Sequence, residues 1–203
     1  MKRVLLLLVG SLLLTLSLSA CGGTGDTGAG AASKVRTGEN GDRINGADVR
    51  FATQMIPHHA QALEMVDLTT GRELSPELRS LAEQIREAQA PEIEQMTRWL
   101  TEWGEEVPAT SRDHVNSGHD DGNLDQDMPG MMTTDDMGGL EAMRGAEFES
   151  MWLQMMTEHH RGAIMMARTE RADGHFGAAK ELAGAIIAAQ EKEIAEIEAL
   201  QGS

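Results

Sequence analysis

The sequence predicts an all-α protein, a four-helix bundle built from two tandem helical hairpins. Helix-forming residues dominate the chain, whereas aromatic residues make up 3% and Tyr is absent. That composition disfavours a β-sandwich. Apolar residues recur at helical spacing in four segments, and the two halves of the chain repeat at a constant offset. With 203 residues and 40% hydrophobic content, the chain suits one domain with a real core.

The first 20 residues read as a signal peptide. Lys2 and Arg3 precede an apolar run that is short for a membrane-spanning helix, and Leu18-Ser19-Ala20-Cys21 resembles a bacterial lipobox. We expect Cys21 to be lipidated, so that the acyl chains anchor the mature protein to a membrane. The alternative is an ordinary signal peptide with a chance cysteine. Residues 21–43 are rich in Gly, Ala, Ser and Thr and predict a flexible tether.

A four-helix domain is predicted over residues 44–201. Hairpin one covers 47–103, with helices at 47–70 and 76–103, and Ser75-Pro76 opens the second helix as its N-cap and first turn. Hairpin two covers 146–201, with helices at 146–172 and 176–201. Since one hairpin cannot bury its apolar stripe alone, the two should pack together.

The repeat relates the halves by a shift of 101 residues. It aligns, without a gap, Phe51 with Trp152, Met55 with Met156, His58-His59 with His159-His160, Met65 with Met166, and Gln89-x-x-Glu92-Ile93 with Gln190-x-x-Glu193-Ile194. A constant offset across two motifs predicts that each half is one two-helix unit.

An acidic linker is predicted at 104–139. Its Met and His residues could capture or transfer a metal ion, although a solvated loop is the slightly favoured interpretation. They are His114, His119, Met128, Met131, Met132 and Met137.

Charge and cysteine usage exclude several functions. The net charge of −16 argues against nucleic-acid binding, which needs a basic surface. Because Cys21 is the one cysteine, no thiolate remains for a metal or for catalysis. Any chemistry with soft ligands therefore depends on Met and His.

The Met/His motifs predict a metal site. On a helical wheel, Met55, His58 and His59 lie on or beside the apolar stripe, and the second copy repeats this placement. Buried imidazoles must find partners. A single His would usually be a hydrogen-bonded core residue, but a duplicated His-His pair favours metal ligands. Di-iron bundles use Glu-x-x-His, whereas Met stands at the Glu position here, and a thioether favours Cu(I) over iron.

Four polar residues repeat beside the stripes of the second helix in each hairpin. Gln89, Glu92, Gln190 and Glu193 could accept an imidazole N–H and so orient the ligands. The alternative, that they are surface residues, has equal weight.

The segments DVRFATQMIPHHAQALEM and FESMWLQMMTEHHRGAIMMA, each followed by A-Q-x-x-E-I, resemble domain-of-unknown-function family 305. The resemblance covers about residues 44–201 and implies a ferritin-like bundle of the CopM copper-binding type, often exported, that binds copper and sometimes silver. The ligands it implies are Met55, His58, His59, Met65, Met156, His159, His160 and Met166. Arg161 stands where the first copy has Ala60, and a cation there would weaken binding unless a nearby Glu pairs with it.

The sequence thus predicts an extracytoplasmic, membrane-anchored lipoprotein that sequesters or buffers Cu(I) in copper tolerance or homeostasis, with no catalytic residues assigned and no protein partner identified. Enzymatic activity is less expected. The alternatives are a metal-dependent oxidoreductase of the ferritin-like type, a His phosphotransfer module, which export disfavours, and an interaction bundle whose Met and His residues merely pack.

Overall fold

A computed structural model describes residues 34–110 and 128–202. It confirms the all-α bundle predicted from the sequence. The helices are α1 (Gly46–Asp67), α2 (Pro76–Trp103), α3 (Thr134–Ala142), α4 (Gly145–Asp173) and α5 (Gly177–Gln201), and a small antiparallel hairpin joins β1 (Arg36–Thr37) to β2 (Arg43–Ile44). The predicted signal peptide, Cys21, His114 and His119 lie outside the described residues.

The helix ends follow local sequence signals. Asn45 caps α1 by accepting hydrogen bonds from the backbone N–H groups of Ala47 and Asp48, while Asp48 accepts from the N–H of Asn45. Ser75 caps α2 and Pro76 fills its first turn, as the sequence predicted. Gly104, with φ of 74°, ends α2 in the left-handed conformation that glycine adopts without strain.

The two hairpins meet through α1 and α4. Helix α1 packs on α2, α4 packs on α5, and α1 lies against α4. Asn45 Nδ2 donates to the Asp173 carbonyl at 2.8 Å, whereas Trp152 Nε1 donates to the Met65 carbonyl at 2.8 Å. The start of each helix therefore lies beside the end of the other, so α1 and α4 run antiparallel and their midpoints meet.

The hydrophobic core has two clusters. One includes Phe51, Trp103 and Ile186, and the other includes Val66, Ile85 and Trp152. On each of the four long helices, a short polar stretch separates the residues of one cluster from those of the other. These stretches form a polar layer across the middle of the bundle: His58-His59 on α1, Gln89 and Glu92 on α2, His159-His160 on α4, and Gln190 and Glu193 on α5.

The structure differs from the sequence prediction at two short elements. Residues 36–44, which fell mostly within the predicted tether, form the β hairpin, and Trp103 Nε1 donates to Asp42 there. Helix α3 begins inside the predicted linker, where Thr133 and Asp136 form a capping box. Both elements are too short for a helical or alternating pattern to identify them.

Within residues 34–110 and 128–202, no helix has the length and apolar character needed to cross a membrane.

Candidate metal centre

Four imidazoles occupy the centre of the bundle. His58, His59, His159 and His160 each have 0% relative exposure, which agrees with their predicted position on the apolar stripe. The rings of His58 and His159 are in contact, with centroids 3.8 Å apart and planes inclined by 40°. The antiparallel crossing of α1 and α4 brings the two motifs, far apart in sequence, to one place.

A glutamate from the neighbouring helix orients one imidazole in each half. His59 Nε2 lies 2.7 Å from Glu92 Oε2, and His160 Nε2 lies 2.6 Å from Glu193 Oε2. An ionised carboxylate only accepts hydrogen bonds, so Nε2 carries the proton and donates. The Nδ1 atoms of both rings are buried without a hydrogen-bond partner among the described residues. Each of these imidazoles thus has one nitrogen held by a carboxylate and the other available to a further partner.

A backbone carbonyl orients His58. Its Nε2 donates to the Pro129 carbonyl at 3.0 Å, and its Nδ1 is buried without a partner in the described part of the chain. Pro129 belongs to residues 128–132, which we call the strap because they cross from α1 to α4 over this imidazole. Sequence reasoning noted the methionines of this segment but missed the carbonyl.

The strap is fixed at two further points. Gln61 donates through Nε2 to the Met132 carbonyl at 2.8 Å and accepts from the Met132 N–H at 2.7 Å. On the other side, a Cβ added to Gly162 would lie 1.8 Å from the Pro129 carbonyl oxygen. The strap can approach α4 this closely because glycine, which has no Cβ, stands at position 162. The predicted solvated loop is therefore wrong for the strap, where Met128 is buried and Met131 and Met132 are half-buried.

His159 and two glutamines add further unpartnered polar groups to this layer. Neither ring nitrogen of His159 has a hydrogen bond of normal geometry within the described residues, and the same holds for the amides of Gln89 and Gln190. Buried polar atoms without partners are costly, at about 1–3 kcal/mol each. Their concentration in one layer marks a place where an additional group would satisfy several of them at once.

Burial keeps two of the imidazoles ready to bind a cation. Burial, together with the neighbouring rings of His59 and His160, lowers the pKa of His58 to about 3, although the Pro129 carbonyl opposes the shift. The pKa of His159 is also well below its ordinary value, because the ring is buried and lies near the other three imidazoles. Both rings are neutral at physiological pH, which is the form that ligates metals.

Methionines flank the polar layer on both sides. Met55 and Met166 belong to one hydrophobic cluster, and Met65 and Met156 belong to the other. Relative exposures are 0% for Met55, Met65 and Met156 and 9% for Met166. Met55 and Met156 each precede a His by three residues, a spacing that places both side chains on one face of a helix.

Arg161 points away from the centre. Its side chain is 62% exposed, and Nη2 lies 3.8 Å from Glu198 Oε1. The Arg161 guanidinium, which the sequence suggested would weaken metal binding, is therefore in solvent beside Glu198.

Imidazole, thiol and carboxylate ligands do not by themselves form a group of three in the described part of the chain. Among residues 34–110 and 128–202, no three His, Cys, Asp or Glu side chains are close enough to hold a metal ion by themselves. The methionines that flank the polar layer could supply thioether sulfur in addition to imidazole. That donor set suits soft ions such as Cu(I).

Known proteins similar to this chain include a family of unknown function and copper-bound structures. The family described as a domain of unknown function (DUF305) matches residues 48–201. A DUF305 protein from Streptomyces coelicolor described as secreted is 34% identical, with 76% of this chain and 91% of that chain covered and a TM-score of 0.65. CopM in a Cu(I)-bound form is 26% identical, with 75% and 94% covered and a TM-score of 0.59, and CopM in a Cu(II)-bound form is 27% identical, with 75% and 94% covered and a TM-score of 0.60. None of the curated proteins matches the chain.

Proposed function

The chain belongs to the DUF305 family, and from that premise we propose that it binds copper outside the cytoplasm and sequesters or buffers it as Cu(I). The metal would be held in the polar layer by imidazoles and thioethers from both halves. The proposed ligands are Met55, His58, His59, Met65, Met156, His159, His160 and Met166, with Glu92 and Glu193 orienting two of the imidazoles. The buried amides of Gln89 and Gln190 would support the same layer.

The observation that carries this proposal is the set of buried, unpartnered ring nitrogens. His58, His59 and His160 each have Nε2 bound to an oxygen acceptor and Nδ1 without a partner among the described residues. Metal-binding histidines have this arrangement, in which the second nitrogen donates to a carboxylate or a carbonyl. Core histidines that merely pack would be expected to satisfy both nitrogens.

Donor type supports copper as the ion. Thioethers are soft ligands and Cu(I) prefers them, whereas iron prefers carboxylates. Structures of CopM contain Cu(I), Cu(II) and silver, at 26%, 27% and 25% identity to this chain. Silver is also a soft ion, so we expect Ag(I) to bind at the same place.

Export and lipid anchoring complete the proposal. The lipobox-like Leu18-Ser19-Ala20-Cys21 supports a lipoprotein, and a relative described as secreted supports an extracytoplasmic location. Methionine suits that location, because a thiol there is open to oxidation. The acidic chain gains nothing from anionic lipid headgroups, so acyl chains on Cys21 would provide the membrane attachment.

Anaerobic competition titration with a Cu(I) chelator tests the function. Met55→Leu combined with Met156→Leu removes two thioethers while conserving side-chain volume, so the fold should persist. We expect the wild type to bind Cu(I) stoichiometrically and the double variant to bind it much more weakly. His175→Ala, which changes an exposed histidine, should bind like the wild type. Cu(I) affinity equal in all three proteins would contradict the proposal.

Substitution of the imidazoles gives an independent test. His58→Ala combined with His159→Ala should abolish binding in the polar layer, and circular dichroism checks that the helices remain. Copper uptake that is unchanged in this folded variant would exclude the layer as the site. Steady-state oxidation of Cu(I) by the wild type would instead favour an oxidoreductase.

A further inference from the structure

A surface pocket of about 240 Å³ lies between α1, α4 and the strap. Phe51 and Gln54 line it from α1, Met165 and Met166 from α4, and Pro129 from the strap. It extends from the first turns of α1 and the last turns of α4 to Pro129 of the strap, the residue that contacts His58 in the polar layer.

The rim of this pocket exposes a thioether. Met165 is 58% exposed, whereas Met166, the next residue, is 9% exposed. Val107 is the other large hydrophobic side chain that is exposed within the described residues, at 38%. The residue that corresponds to Met165 in the first half, after a shift of 101, is Glu64. An outward and an inward methionine therefore adjoin in the second half and not in the first.

Two residues connect the pocket to the imidazoles. The carbonyl of Pro129, which forms part of the wall, accepts the hydrogen bond from His58 Nε2 at 3.0 Å. Met166, which forms another part of the wall, belongs to the same hydrophobic cluster as Met55. A cation that passes from Met165 to Met166 would thus move from solvent towards the polar layer.

The charged groups of the pocket do not favour a hard cation. Arg50 contributes an exposed guanidinium, and burial together with Asp48 raises the pKa of Glu170 to about 9, so this carboxyl is protonated at neutral pH. Asp48 itself accepts hydrogen bonds from the N–H groups of His175 and Phe176. The walls therefore offer sulfur rather than an ionised carboxylate, and since the Arg50 guanidinium repels every cation, the thioethers are the feature that favours a soft ion over a hard one.

We propose that this pocket is the route by which a soft monovalent cation enters the protein, with Met165 as the residue that first captures it. The proposal rests on the proposed function and adds a kinetic role that the buried ligands cannot have. Met165 accelerates uptake by taking the ion from solution in an exposed thioether, and Met166 receives it at the wall. Because Met165 does not contribute to the final site, its loss slows binding without changing the amount bound.

Stopped-flow transfer of Cu(I) from a weak chromophoric chelator to the full-length protein tests this role, with Ag(I) as a redox-inert second probe. Met165→Leu keeps an apolar side chain of similar volume and removes the sulfur. Met151→Leu is the matched control, since Met151 lies on the same helix, is half-buried and does not line the pocket. We expect Met165→Leu to slow uptake severalfold at wild-type stoichiometry and affinity, and Met151→Leu to behave as the wild type.

The outcomes separate this inference from the proposed function. Uptake by Met165→Leu at the wild-type rate would overturn the route while leaving copper binding intact. Equal slowing by both variants would also overturn it, because any methionine on α4 would then suffice. Absence of Cu(I) binding by the wild type would overturn the proposed function and the route together.

Discussion

The two His-His motifs share one contact and differ in another. His59 with Glu92 and His160 with Glu193 have nearly the same geometry, at 2.7 and 2.6 Å, and both pairs are 33 residues apart in sequence. The leading histidines differ, because His58 donates to Pro129 whereas His159 has no hydrogen bond of normal geometry within the described residues. The strap accounts for the contact at His58, and no backbone carbonyl of residues 34–110 or 128–202 makes a corresponding hydrogen bond of normal geometry with His159.

Two residues at corresponding positions of the two halves contact the strap in different ways. A shift of 101 residues places Gln61 on Gly162. Gln61 holds Met132 through two hydrogen bonds, while Gly162 provides the space for Pro129. The glutamates thus orient an equivalent pair of imidazoles, whereas the strap makes the leading pair, His58 and His159, unequal. Substitutions at the glutamates, at Gly162 and at Glu170 test these similarities and differences between the two halves.

Removal of the glutamates tests the contacts that both halves share, His59 with Glu92 and His160 with Glu193. Because an oriented imidazole binds metal more tightly, Glu92→Ala and Glu193→Ala should each weaken Cu(I) binding by about 10- to 100-fold. Competition titration with a chelator measures this change. Glu94→Ala and Glu191→Ala, at exposed positions on the same two helices, should have little effect. A large loss from one glutamate variant and none from the other would show that the two halves are not equivalent.

A side chain at Gly162 tests how the strap packs against α4. Gly162→Ala should lower the free energy of unfolding by about 1–3 kcal/mol, because the new Cβ collides with the Pro129 carbonyl. The same change at Gly184 on α5 meets no atom closer than 3.9 Å and should raise stability by about 0.5–1 kcal/mol. Urea denaturation measures both. If Gly162→Ala were as stable as Gly184→Ala, the strap would not pack on α4 as described.

Glu170 provides an effect that is small near pH 5 and grows as pH rises, and it also belongs to one half, since Thr69 is its counterpart. Burial raises the pKa of Glu170 from 4.5 to about 9, so the folded state holds a proton that the unfolded state releases between these values. This group therefore makes stability fall as pH rises through that window. Glu170→Gln should remove its contribution, so that the variant gains stability relative to the wild type as pH rises.

Denaturation curves at several pH values measure the Glu170 effect. Glu181→Gln, an exposed change on α5, serves as the control and should follow the wild type. A stability difference between Glu170→Gln and the wild type that is independent of pH would mean that the carboxyl is ionised in the folded protein.

The helix bounds and the burial of the histidines were predictable from local sequence signals and from the spacing of apolar residues. Helix α2 begins and ends where the sequence predicted, because Ser75-Pro76 and Gly104 are strong local signals. The burial of His58 and His159 followed from their place on an apolar stripe. The hydrogen bond from His58 to Pro129 could not be predicted, because it joins residues 71 apart through a backbone carbonyl, which no side-chain pattern reveals.

X-ray absorption of the Cu(I)-loaded protein tests the central claim most directly, since it distinguishes sulfur from nitrogen ligands. The account predicts a first coordination sphere that contains both imidazole nitrogen and thioether sulfur, and loss of the sulfur contribution in the Met55→Leu, Met156→Leu variant. A sphere made only of nitrogen and oxygen, identical in the wild type and that variant, would contradict it.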